Sequence, residues 1–459
     1  VALSSAAAAF DDGRHAGVVG MKIVHLLGWY FPDSVGGTEV YVAALCRRLR
    51  SLGHESIVAA PIASGERSGS SYVHDGVNVF RYGIPRDLTK DEAGHRAPVR
   101  GAEAFHEWLA ASKPDFLHVH SFTSGVGLHE IRHARRLGIR VIVTCHLPGL
   151  GYMCRAGELM QWGERPCDGI VEPVKCGECN LARLGMPKRV ARVLALAPAL
   201  SAQLARLPGR AGTALGMTAS VAEYASMQRE LFQLVDRFVV LNETARRMLI
   251  ANGSPTEKIT VNRLGLGVAP SIRKTIDRPT AKPVRFGYVG RLHESKGVAT
   301  LVRAARNVSR DVAFRLSIRG PMIDAATNEF VDRVRALADG DERIAFEPGV
   351  QPSEIASVLA ELDVLVCPSL WFENGPTVAL EANAVGTPVL ASAFGNLAEI
   401  VQDGWNGGLV PAGATDAWTD ALVEIAQHPD RTIDVWRTHL TAPRTMDEIA
   451  RDYVSLYAA

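Results

Sequence analysis

The feature that most constrains this chain is a rhythm that runs to completion and then begins again. Short apolar runs, KIVHLL (22–27), SIVAAP (56–61), FLHVH (116–120), VIVTCH (141–146) and FVVLN (238–242), alternate with helical patterns at 38–52, 101–111 and 126–137. Runs this short, rich in branched residues and bounded by polar or turn residues, read as buried strands. Strand, helix and strand in repetition mean a parallel sheet covered on both faces. After Pro283 the pattern restarts with VRFGYVG (284–290), FRLSIRG (314–320), RIAFEP (343–348), VLVCPS (364–369) and PVLAS (388–392). Helices are predicted there over 297–308, 325–338, 353–361 and 377–385. The polar, proline-containing stretch 268–283 reads as a linker. The expected fold class is therefore α/β, with two doubly wound, Rossmann-like domains facing across a cleft. Ligands of open parallel sheets sit beyond the carboxyl ends of the strands.

Two segments break the rhythm of the first domain, which we place at 21–275. Residues 147–180 are rich in Gly and Cys and read as an irregular insertion; 182–231 read as helical. The second domain is placed at 276–443. Residues 1–20 hold an Ala run followed by Asp11, Asp12 and Arg14. With no basic stretch ahead of the apolar part they do not read as a secretory signal, and we expect a disordered extension. No apolar run reaches the roughly 18 residues of a spanning helix. The 50 basic and 49 acidic residues leave a net charge of +1, which argues against a dedicated polyanion binder. Basic runs at Arg47–Arg50 and Arg132–Arg136 are solvated helix faces or a docking face for an anionic membrane. The expectation is a cytoplasmic enzyme that can sit peripherally at a membrane.

Three motifs carry chemistry. In ENGPTVALE, Glu373 lies on a loop and Glu381 in the helix that follows, with Pro376 suited to its first turn. A helix N-terminus there offers free N–H groups and a positive dipole end to phosphate. In GRLHESKG, Arg291 and Lys296 flank a strand-to-helix turn, two cations where a diphosphate would want them. In SVGGTEVY, Gly36 and Gly37 let backbone approach a ligand closely or simply make a tight turn. The dinucleotide spacing G-x-G-x-x-G and its acidic partner are absent, which counts against a nicotinamide oxidoreductase. His25 and His120 read as buried, hydrogen-bonded residues, His120 being the nearer to the cleft. The acidic pair around Gly340 reads as a loop. Cys154, Cys167, Cys176 and Cys179 are separated by 12, 8 and 2 residues, and Cys176–Cys179 is a C-x2-C knuckle. The four suit a structural zinc, with reduced thiols or another metal as the alternatives.

Taken together, LLGWYFPDSVGGTE, the strand ending in His120, TCHLPG, VGRLHESKG and PSLWFENGPTVALEANAVGTPVLAS resemble the family 4 retaining glycosyltransferases of the GT-B fold, in a variant with a Cys cluster. The resemblance covers nearly the whole chain from Met21. It implies that Glu373 holds hydroxyls of a donor sugar and Glu381 the nucleotide ribose. Arg291 and Lys296 would neutralise the donor diphosphate, with Gly37 nearby and the N–H groups of Thr377 and Val378 turned toward phosphate. His146 would stand near the reacting centre. Asn374-Gly375-Pro376 departs from the family's commoner Gly-Phe-Gly. Residues 444–459 look like the family's closing helix, which packs back on the first domain. The activity implied is metal-independent, retaining transfer from a UDP- or GDP-sugar to a hydroxyl acceptor (saccharide, lipid-linked or small molecule). Such an enzyme serves polysaccharide or glycolipid synthesis. The alternatives are a non-catalytic, zinc-stabilised scaffold or another GT-B enzyme, such as a nucleotide-sugar epimerase.

Overall fold

The structure is a computed structural model. It describes residues 20–459 except 35, 65–68, 148, 150–153, 197, 206, 208, 268–281, 322–324 and 339. Residues 1–19 of the expected extension and most of the linker thus lie outside the described residues.

The first sheet holds β1 (Lys22–Leu26), β2 (Glu55–Ile62), β3 (Gly69–His74), β4 (Val77–Gly83), β5 (Phe116–Val119) and β6 (Arg140–Cys145). A separate two-stranded hairpin follows, β7 (Met160–Gln161) with β8 (Arg165–Pro166). The sheet is completed by β9 (Arg237–Val240) and β10 (Ile259–Val261). Its order is β10-β9-β6-β5-β1-β2-β4-β3, parallel except for β3 against β4. The chain leaves β1 toward β2 on one side and later toward β5 on the other, so the strand order reverses between β1 and β5. A crevice opens at such a switch point. The second sheet holds β11 (Val284–Val289), β12 (Phe314–Arg319), β13 (Ile344–Glu347), β14 (Val364–Cys367), β15 (Val389–Ser392) and β16 (Gly407–Val410). It runs β13-β12-β11-β14-β15-β16, all parallel, and reverses between β11 and β14.

Both faces of each sheet are covered, which is why the strands read as unbroken apolar runs. The helix Met446–Ala458 belongs to the core of the first sheet: Ile449, Tyr453 and Tyr457 are buried beside Ile23, Val42 and Leu45. Leu266 pairs with Arg444 and Thr445, so the outgoing and returning connections lie side by side.

The insertion is more ordered than its composition suggests. Pro173–Arg183 is a helix with Pro in its first turn. Gly177 there is buried, and a Cβ on it would meet Thr218 Oγ1 at 2.8 Å. The glycine that reads as loop chemistry instead lets this helix press on the helix Met217–Leu234. Residues 182–231 form several helices, among them Lys188–Ala195 and Met217–Leu234.

Candidate active site

The two switch points face each other, and their loops carry the chemistry. On the second-domain side the chain leaves β11 through Gly290 and Arg291 into a short turn, Glu294–Lys296. Gly297 ends the turn at φ 71°, where a Cβ would sit 1.9 Å from the Pro368 carbonyl. Only glycine allows that approach. The turn is thereby held against the loop after β14, with the Leu370 N–H donating to Ser295 O at 2.8 Å. Lys296 Nζ consequently meets Glu373 Oε1 at 2.5 Å, 5.0 Å from the Trp371 ring centre. The same oxygen accepts from Ser369 Oγ at 2.5 Å and Trp371 Nε1 at 3.0 Å. Arg291 is exposed at the rim; its carbonyl accepts from Tyr288 Oη at 2.6 Å, and its guanidinium has no partner among the described residues.

The helix Thr377–Ala384 starts one residue later than Pro376 suggests, with Pro376 as its N-cap. The Thr377 N–H donates to Gly375 O at 2.9 Å, and Thr377 lines the cavity between the domains. The Val378 N–H has no acceptor among the described residues. Glu381, one turn on, is half-buried with no hydrogen-bond partner among them; burial raises its pKa above the usual carboxylate value.

On the first-domain side, Gly37 opens the helix Gly37–Ser51, and a Cβ there would meet nothing within 4 Å. His146 follows β6 and packs edge-on against Tyr41. Behind it runs a buried line of imidazoles: His146 Nε2 meets His120 Nδ1 at 3.1 Å, and His120 Nε2 meets His25 Nδ1 at 3.0 Å. The line ends at His25 Nε2, buried without a partner. A buried orphan acceptor is better tolerated than a buried orphan N–H. On that ground His25 and His120 carry their protons on Nδ1, each donating to the next ring, and His146 carries its own on Nδ1. Burial holds His25 and His146 down to about 3, so the line stays neutral.

Gly37, His146, Arg291, Lys296, Glu373, Thr377 and Glu381 line one cavity of about 440 Å³ between the domains. Val378 lines an adjoining recess with Arg291 and Lys296. Two contributors escaped the sequence reading. Asn374 donates to Cys145 O at 2.6 Å and accepts from Asn242 Nδ2 at 2.7 Å, bridging the domains next to His146. Glu399 accepts from the Glu243 and Thr244 N–H groups (2.9 and 2.7 Å), from Thr244 Oγ1 at 2.8 Å and from Arg263 at 2.9 Å. It therefore clamps the start of the first-domain helix Glu243–Ala251. Their signal was weak: an Asn where the motif has Gly, and one Glu among many.

The four clustered Cys lie outside this cavity. Cys176 and Cys179 sit a turn apart on the helix Pro173–Arg183, accepting from the Glu172 and Trp162 N–H groups (3.4 and 3.1 Å). Cys154 acts electrostatically on Cys167, Cys176 and Cys179, so the four lie near one another. One ring nitrogen from each of His25, His118 and His120 lies within 4.8 Å of the others, but of their six ring nitrogens all except His25 Nε2 are engaged, with one another, His146, Tyr457 and Thr144.

Residues 36–214 match the family model described as "Glycosyl transferase 4-like domain", and residues 283–428 match "Glycosyl transferases group 1". A D-inositol 3-phosphate glycosyltransferase of an Arthrobacter species is 27% identical over 410 residues, 88% of this chain and 84% of that protein. The colanic acid biosynthesis glycosyltransferase WcaL of Salmonella typhimurium is 28% identical over 242 residues, 51% of this chain. That match spans 57% of the relative's length. Among solved structures, sucrose-phosphate synthase of Thermosynechococcus elongatus superposes with a TM-score of 0.63 at 19% identity, covering 95% of this chain and 98% of that one. Anabaena HepE, solved with UDP and glucose, gives 0.57 at 14%, covering 95% and 99%. At these identities the likeness to solved structures is one of fold.

Proposed function

Because this chain belongs to the family 4 glycosyltransferases of the GT-B fold, we propose that its interdomain cavity moves a sugar from a UDP- or GDP-sugar to a hydroxyl acceptor with retention. One observation carries the reading. Unpaired Arg291, the Lys296–Glu373 pair and unpartnered Glu381 line one cleft at the switch point of the second sheet. Cations there suit a diphosphate, and the unpartnered carboxylate of Glu381 suits ribose hydroxyls, with Glu373 held in place beside Lys296 for the sugar.

In this mechanism the bond between the anomeric carbon and the phosphate oxygen breaks as the acceptor oxygen bonds the same carbon from the same face. The acceptor's proton passes to the leaving phosphate, so no protein nucleophile is needed. Arg291, Lys296 and the Val378 N–H stabilise the negative charge gathering on the diphosphate. Removing one such contact costs about 3–4 kcal/mol of transition-state stabilisation. Glu373 orients the sugar and Glu381 the ribose. His146, neutral and with its proton on Nδ1, supplies a hydrogen bond at the reacting centre. The chemistry asks for no metal. A zinc held by Cys154, Cys167, Cys176 and Cys179 would be structural.

The test is thermal unfolding against UDP, GDP, ADP and NAD. A ligand at 100 times its dissociation constant stabilises by about 2.7 kcal/mol. A shift with one nucleoside diphosphate, lost in Arg291→Ala, is expected. A shift with NAD alone would overturn the reading, and no shift at all would leave a non-catalytic scaffold.

A further inference from the structure

A second cavity, of about 370 Å³, lies wholly within the first domain. Its lining is mainly apolar, with Phe122, Leu128, Met217, Met227 and Leu231, and Lys90, His95 and Arg96 also reach it. Into this setting the chain places Arg155. Its guanidinium makes one contact among the described residues, from Nη1 to the Met217 thioether sulfur at 3.1 Å. Glu223 is the sole carboxylate among the described lining residues. It is held at 3.2 Å by Arg96, which also takes Asp91 at 2.6 Å. Desolvation lowers the pKa of Arg155, whereas the carboxylate partners of Arg96, Arg132 and Arg183 raise theirs. Arg155 is half-buried and lies near enough to Glu223 to feel its charge, but among the described residues no carboxylate is hydrogen-bonded to it, so its donors are left for a ligand.

We infer that this cavity binds an acidic amphiphile, with its apolar chain among Phe122, Leu128, Met227 and Leu231 and its phosphate or carboxylate on Arg155. Size and lining fit the apolar part. The charge fits the head, since a guanidinium offers paired N–H donors to either anion. The surroundings add to this. Met217 shares a small core with Ala191 of the helix Lys188–Ala195. The outer side of that helix and its end present Val190, Val193 and Leu196 at 48%, 68% and 62% exposure, beside exposed Arg189 and Arg192. Apolar and basic groups together suit a surface rich in anionic lipid. Phe122 also lies two residues after His120, in the line of rings behind His146. The inference does not rest on the sugar-transfer reading.

The test is calorimetric titration of the whole chain, without nucleotide, using octyl and decyl phosphate below their micellar concentrations. Octanol and inorganic phosphate are run beside them. One decyl phosphate per chain is expected, about tenfold or more tighter than octyl phosphate because of its two extra methylenes. Arg155→Met, which keeps an unbranched stem beside Met217, should weaken binding at least tenfold, and Arg155→Lys less. Met227→Trp, which fills the cavity, should abolish it, and this keeps the test decisive should Arg155→Met fail to fold. Flotation with phosphatidylcholine vesicles, with and without phosphatidic acid, separates the sources. Capture that needs phosphatidic acid and Arg155 names a bilayer lipid, whereas decyl phosphate binding without capture names a soluble amphiphile. The proposal is overturned if octanol binds as tightly as octyl phosphate, or if the Arg155→Met protein binds decyl phosphate as the wild type does. It is equally overturned if Met227→Trp leaves binding unchanged. Loss of nucleotide binding would sink the transferase reading and leave this one standing.

Discussion

Replacing Glu373 with Gln tests the centre of the site, because it should weaken the empty protein and tighten its grip on nucleotide at once. Lys296 Nζ and Glu373 Oε1 stand 2.5 Å apart, with 18% and 12% of their side chains exposed. Removing one partner of a fully buried pair costs about 3–5 kcal/mol. The partial exposure, and the amide oxygen left to accept from Ser369 and Trp371, reduce this to roughly 2 kcal/mol. For a domain of this size that is a fall in Tm of about 4–8 °C. A diphosphate restores the missing negative charge. If Lys296 is divided between carboxylate and phosphate in the wild type, freeing it can tighten UDP binding by as much as the same 2 kcal/mol, about thirtyfold. Sugar transfer should meanwhile fall at least about a hundredfold, as expected for loss of a charged contact to the reacting group. Scanning calorimetry and titration with UDP read both effects. The Lys296→Met, Glu373→Gln double variant should be clearly non-additive. An unchanged Tm with unchanged or weaker UDP affinity would refute the shared-lysine argument.

Other consequences are as direct. Glu399→Ala removes four contacts at the domain boundary. It should lower donor affinity about tenfold or more and enlarge the particle in small-angle scattering, since charged hydrogen bonds are worth about 1.5–3 kcal/mol; an unaltered scattering curve would show that Glu399 is not a clamp. Gly297→Ala forces a Cβ onto the Pro368 carbonyl at positive φ, and should abolish UDP binding by displacing Lys296, as titration would show. Burial holds His25 and His146 near 3 and drives His118 and His120 well below the ordinary value, mainly by desolvation. Below about pH 6.5 the unfolded chain takes up protons that the native one refuses. Stability should therefore fall by up to about 1.4 kcal/mol per pH unit for each of these rings from about 6.5 toward 4, and be indifferent to them above 7. Urea midpoints that stay level from pH 7 to 5 would contradict this. Zinc analysis of protein purified under reducing conditions should return one equivalent, lost in Cys176→Ser; none in the wild type would leave four thiols.

The two sheets were legible because strands buried on both faces carry their signal in consecutive residues, as in VIVTCH and VLVCPS. The hairpin of β3 and β4 was not, because Gly69–His74 is a polar edge strand whose apolar pattern is broken. The ends of β11 and β14, and with them Arg291, Lys296 and Glu373, could be placed from local motifs. What stayed hidden depends on partners far along the chain. Asn374 answers to Cys145, 229 residues away, and Glu399 to Thr244, 155 away. Gly177 misled in the other direction, since its smallness serves a helix crossing and not a loop. The turn hydrogen bond of the Thr377 N–H to Gly375 was not legible either, because it turns on the local conformation at Gly375 and Pro376, which spacing does not reveal.

The helix Met446–Ala458 reaches the first sheet through more than apolar packing. Tyr457 meets His118 at 2.7 Å, while Tyr453 meets Thr144 at 2.8 Å and receives a hydrogen bond from Tyr41. During translation, the ribosome completes the whole second domain before this helix exists. The first domain emerges early but must wait with His118 and Thr144 lacking their phenol partners, and with a strip of apolar surface open beside Val42 and Leu45. Domains ordinarily fold as they emerge. Here the half made first is finished last, and a nascent chain stalled anywhere between Leu266 and Met446 would carry that uncovered strip as a ready target for a chaperone.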